Sequence, residues 1–75
     1  MSELSIISEA SGSVWKIEVA HGQQVAEGDA LLVIESMKME LPLTAPSAGT
    51  VARILVAEGE RVEEDQPLLL LTTQS

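Results

Sequence analysis

Between Glu35 and Glu40 the chain reads ESMKME, which sets the primary amine of Lys38 between Met37 and Met39 where a strand-like pattern breaks. A lysine amine is nucleophilic once deprotonated. Other chemistry is harder to assemble. The chain has no cysteine, which removes disulfides and thiolate metal sites, and its one histidine, His21, makes a metal site a poor expectation. No set of nucleophile, base and oxyanion donor can be put together from these residues, so the sequence argues against an enzyme.

The elements around Lys38 explain its placement. The apolar run Ala30, Leu31, Leu32, Val33, Ile34 precedes it and the extended stretch Leu41, Pro42, Leu43, Thr44 follows, so Met37 and Lys38 fall where a tight hairpin turns. Such turns normally recruit Gly, Asn or Asp for positive φ, and none of these is present. A turn that departs from its own local rule is a candidate functional site. Glu35, Ser36 and Glu40 flank it and are secondary site candidates, solvated surface being the plainer reading of the two glutamates.

Sliding the sequence over itself by 37 residues aligns Gly12 to Ile34 with Gly49 to Leu71 without a gap, with identity at ten positions. Two copies are too few for a solenoid, so they should pack on each other about a pseudo-twofold axis. Each copy reads as Gly, a strand of about eight residues, a turn, a short Val-centred segment, a second turn and a Leu-rich strand, which makes the domain all-β. Shared strand positions 14, 17 and 19 are spaced by three and then two, which predicts a bulge near residues 15 and 16. Gly22 and Gly59 are expected to supply positive φ, and Gly28 is matched by Asp65, which also tolerates that region. Trp15 has Ala52 as its mate and is read as partly exposed or peripheral, with a buried position as the rival. Lys38 shifted by 37 lands on Met1 or Ser75, so the hairpin should lie opposite paired termini.

The chain of 75 residues is read as one domain, 1–75, whose core must come from Val, Ile, Leu and Ala because Trp15 is the only aromatic. A formal net charge of −8 repels nucleic acid and anionic membranes and favours a soluble monomer. No signal peptide or membrane span can be drawn, so a cytoplasmic location and a freestanding protein are expected.

The Met37–Lys38–Met39 hairpin, together with SGSV, the HGQQV and AEGD turns, VIESMKMELPLTAPSAGTV and AEGERV in that order, resembles the biotinyl attachment domain of biotin-dependent carboxylases. The resemblance covers most of the chain and is nearest to the small freestanding biotin/lipoyl attachment proteins. It implies a flattened barrel-sandwich hybrid of two four-stranded antiparallel sheets, and biotin held covalently on Lys38, with Met37 and Met39 beside it. It also implies the partners: biotin protein ligase, biotin carboxylase and carboxyltransferase, between which a carrier shuttles carboxyl groups. Met39 is read as filling a gap where the chain returns into the strand, and Met37 as a recognition contact. Ser36 stands where Ala is commoner in the family, and no protruding thumb loop interrupts the first half. The rival readings are a lipoyl carrier, whose acceptors usually have Asp where Met37 stands, and an unmodified barrel-sandwich interaction domain.

Overall fold

The computed structural model describes residues 2–73 and contains eight strands: β1 (Ser2–Ile7), β2 (Gly12–Ile17), β3 (Gln24–Val25), β4 (Ala30–Ser36), β5 (Met39–Thr44), β6 (Gly49–Ile54), β7 (Arg61–Val62) and β8 (Pro67–Thr73). Adding 37 to the bounds of each of the first four strands reproduces the bounds of the last four. The internal repeat therefore extends beyond the segment visible as identity, taking in β1 and β5 as well. They form two antiparallel sheets of four strands, β1-β8-β6-β3 and β5-β4-β2-β7, and the same shift converts one sheet order into the other. Each sheet draws strands from both halves of the sequence, so neither half can complete a sheet alone.

The shared strands are shorter than the eight residues expected, six each in β2 and β6, and each contains a bulge. The ladder shifts between Val14 and Lys16 in β2 and between Val51 and Arg53 in β6. A bulge sets two residues against one on the partner strand. Trp15 is the extra residue in β2, and it is half exposed, as its Ala52 mate suggested.

The core repeats too. Ile6/Leu43, Val14/Val51, Val19/Val56, Val25/Val62, Leu31/Leu68, Leu32/Leu69 and Ile34/Leu71 are symmetric pairs within one buried cluster. The remaining member, Ala45, has as its mate Ser8, which is fully buried and donates its hydroxyl to the carbonyl of Ala10 at 2.6 Å. Buried hydroxyls need such partners, because leaving one unpaired costs about 1–3 kcal/mol.

Four turns bind the halves together. Gly22, Gly28, Gly59 and Asp65 have φ of 86°, 88°, 88° and 69°, as the sequence implied. In each turn the fourth side chain caps the first amide: Gln23 on Ala20, Asp29 on Ala26, Glu60 on Ala57 and Gln66 on Glu63. The turn amides then reach the opposite half, Gly22 donating to the Val51 carbonyl and Gly59 to that of Val14, both at 2.7 Å.

Candidate functional site

Lys38 sits at the end of the β4–β5 hairpin, and the geometry follows from the ladder beneath it. Ser36 pairs with Met39, leaving only Met37 and Lys38 to turn the chain. Their φ values are 51° and 65°. Two central residues with positive φ are the mark of a type I′ turn, whose twist matches that of the strands it joins. For L-residues other than Gly, Asn or Asp this conformation is strained. The sequence anomaly is thus a real backbone strain, concentrated on the two residues singled out.

The turn stands clear of the body. Met37 is 92% exposed, and Lys38 is exposed with no hydrogen-bond or ion-pair partner among the described residues. The salt bridge found among those residues, Lys16–Glu18 at 3.7 Å, lies elsewhere on β2 and its continuation. Met39 is 62% exposed, which corrects the expectation that it fills a gap. Its rung lies beyond the last core rung, Ile34–Leu41, so there is no cavity for it to fill.

Glu35 and Glu40 face each other directly in the ladder, one rung below the turn. Like charges in that arrangement repel, so the pair does not serve the hairpin's own stability. Ser36 does more than the tolerated hydroxyl expected of it: its Oγ donates to the Ser11 carbonyl at 2.7 Å, tying the turn end of the hairpin to the β1–β2 loop. Gly12 makes that approach possible, since a Cβ there would collide with the Glu35 carbonyl; Gly49 meets the Thr72 carbonyl in the same way in the other half. Ser11, Gly12 and Arg61 share an open groove with Lys38, and sequence reasoning did not assign them to the site. The available signal was the repeat itself: the Gly12/Gly49 identity and the Arg61/Gln24 difference.

Met1, Gln74 and Ser75, where the symmetry mates of the hairpin residues were expected, lie outside the described residues. The rung next to them is in place: Ser2 pairs with Thr73 as Met39 pairs with Ser36.

A family model described as biotin-requiring enzyme, a biotin/lipoyl model, matches residues 2–71. The chain belongs to that family. Among curated proteins, it is 35% identical over 40 residues to the biotin/lipoyl attachment protein of Bacillus subtilis, covering 53% of this chain and 55% of that one. It is 47% identical over 36 residues to the biotinylated protein TB7.3 homolog of Mycolicibacterium smegmatis, covering 48% and 51% of the two chains. The match thus spans about half the length of these two relatives. Among solved structures, a single-chain, multi-domain long-chain acyl-CoA carboxylase contains a segment that superposes with a TM-score of 0.91 at 33% identity, covering 96% of this chain and 7% of that one. The urea carboxylase of Kluyveromyces lactis gives 0.89 at 32% identity, covering 96% and 6%. The resemblance read from the Met-Lys-Met hairpin and the fold it implied are therefore both correct. This is a biotin-attachment domain, a carrier and not itself a catalyst.

The residues present fit biotin. Attachment needs a primary amine that an enzyme can surround, and the strained turn holds Lys38 outward, free of partners among the described residues.

Proposed function

We propose that Lys38 is the biotin acceptor and that the domain works as a biotin carboxyl carrier. In this role it is modified by a biotin protein ligase and moves carboxyl groups between a biotin carboxylase and a carboxyltransferase. The observation that carries the reading is the two-residue turn that strains Met37 and Lys38 to present one free amine. The neutral Nζ of Lys38 attacks the activated acyl carbon that the ligase presents. An amide bond forms, the bond to the adenylate leaving group breaks, and the ammonium proton passes to a base on the ligase. Bound biotin supplies a ureido nitrogen that takes up and releases a carboxyl group. The chain's contribution is placement: a rigid two-sheet body with its acceptor on a protruding turn raises the effective concentration of the tethered group at each partner site.

Met37 and Met39, both exposed, offer adaptable apolar contacts to the ligase, while Glu35 and Glu40 offer charge to basic residues on it. The acidic surface, with a net charge of −8, supports a monomer, and we place the protein in the cytoplasm. A lipoyl carrier is the second reading, favoured by the likeness to a biotin/lipoyl attachment protein; Met37 in place of Asp speaks against it.

Incubation with purified ligase, ATP and biotin, followed by mass spectrometry, tests the assignment. Wild type and Lys16→Arg should each gain one biotinyl group, and Lys38→Arg none, because a guanidinium stays protonated and cannot accept the acyl group. Biotin retained by Lys38→Arg overturns it. Avidin and anti-lipoate blots of the native protein separate the two readings.

A further inference from the structure

We propose that the outward face of the sheet β5-β4-β2-β7, centred on Trp15, is the docking surface for the ligase that acylates Lys38. The proposal rests on the reading of Lys38 as the acceptor. Its starting point is the symmetry of the scaffold. Whatever the fold itself requires is present in both halves, as the paired core residues are. Differences at paired outward positions are what the fold can do without. Trp15 is matched by Ala52, Pro42 by Ser5 and Glu35 by Thr72, with the bulkier apolar or the charged member on the sheet that bears the hairpin, while Val33 against Leu70 and Thr44 against Ile7 run the other way.

The ladder places these residues together. Lys16, Val33 and Pro42 form one rung, and the bulge adds Trp15 beside Lys16. Ser13, Glu35 and Glu40 form the next outward-facing rung toward the turn. Val33 is only 8% exposed yet stands outside the core cluster, so it is covered on the outer face, where Lys16 is its ladder partner and Trp15 the adjoining bulge residue. Trp15 remains 50% exposed, which leaves half an indole available to a partner.

Distance selects the occupant. The Val33–Pro42 rung lies three residues from the last rung of the hairpin, roughly 10 Å along the strands. An enzyme that makes a bond to Nζ must bring its reacting carbon within about 3–3.5 Å of it. Its surface therefore lies against the neighbouring body. An ordinary interface covers about 800 Å² on each partner, a patch roughly 30 Å across, and Trp15 falls within it. Enzymes that act on the tethered group work at the far end of the arm and need not cover this face. The complementary ligase surface is an apolar socket for an indole, bordered by basic groups that meet Glu35 and Glu40.

The test is ligase kinetics with the carrier as varied substrate. Alanine is what the fold already holds at the mate of position 15, so Trp15→Ala should still fold into the same two sheets. Its KM should rise about tenfold with kcat within about twofold, the pattern of lost docking. Arg53→Ala, on the other sheet, should change neither. Trp15 is the only tryptophan, so 5-fluorotryptophan gives the carrier one 19F resonance; with Lys38→Arg to block turnover, that resonance should shift or broaden when unlabelled ligase is added. An unchanged KM, or a resonance indifferent to ligase, overturns the proposal, and the resonance alone decides it if Trp15→Ala lowers the urea midpoint. Wild-type protein that gains no biotin at Lys38 refutes the acceptor reading instead, so the two failures are distinct.

Discussion

Replacing Met37 with Asn and Lys38 with Gly should make the domain more stable while abolishing its modification. The turn holds both residues at positive φ, 51° and 65°. The left-handed region costs an ordinary L-residue roughly 1–2 kcal/mol, so the native pair carries roughly 2–4 kcal/mol of strain. Asn and Gly at these positions are the preferred residues of a type I′ turn and remove most of it. Glycine returns about 0.5–1 kcal/mol through the greater freedom of the unfolded chain. A net gain of about 1–2 kcal/mol remains, and nothing is lost in packing, since Met37 is 92% exposed. In a domain of this size each kcal/mol raises Tm by roughly 4–8 °C. With a urea m-value of about 1 kcal/mol/M, the midpoint should move up by about 1–2 M. Urea unfolding followed by circular dichroism, with m compared between variants, measures the effect. A midpoint equal to or below that of wild type at unchanged m would show that the turn is not strained and that its departure from turn-forming residues has no energetic meaning.

The symmetric close approaches predict that Gly12→Ala and Gly49→Ala each destabilise by about 1–3 kcal/mol, since a methyl must displace a carbonyl oxygen of the facing strand; clearly unequal urea midpoints would count against equivalent packing in the two halves. Ser36→Ala removes the bond to the Ser11 carbonyl and should cost about 0.5–1 kcal/mol, with faster amide exchange at the turn end of the hairpin; unchanged exchange would show that the strap holds nothing. Met37→Asp combined with Met39→Ala should slow biotinylation by purified ligase, and rates equal to wild type would remove the methionines from recognition.

Much of the architecture was legible because it is written twice. Identity at Gly12, Val14, Ile17 and their mates exposes the repeat, and the uneven spacing of those positions locates the bulge. β1 escaped notice because Ser2–Ile7 and its mate Met39–Thr44 share only Glu3/Glu40 and Leu4/Leu41, too few identities to extend the alignment. Edge strands buried on one side tolerate exchange at their outward positions, which erases the signal. Lys38 was legible because a turn without Gly, Asn or Asp violates a local rule. Ser11 and Arg61 were not, since their place beside Lys38 depends on pairing between strands far apart in sequence, such as Ser13 with Arg61. Met39 was misjudged because a residue returning into a strand is ordinarily inward and covered, and here its rung lies past the end of the core.

The equivalence of the Ser2–Thr73 and Met39–Ser36 rungs means that a connection of the hairpin's own kind fits at a second place in the fold. A two-residue link from Thr73 to Ser2 would repeat the connection that Met37 and Lys38 make from Ser36 to Met39, closing residues 2–73 into a ring of four pairs of symmetry-related strands. Such a ring could be reopened at any of its turns to give circular permutants with the same two sheets. If the new link were itself Met-Lys, the ring would carry two acceptor hairpins related by the pseudo-twofold axis, a carrier with two arms built from one seam and no added domain.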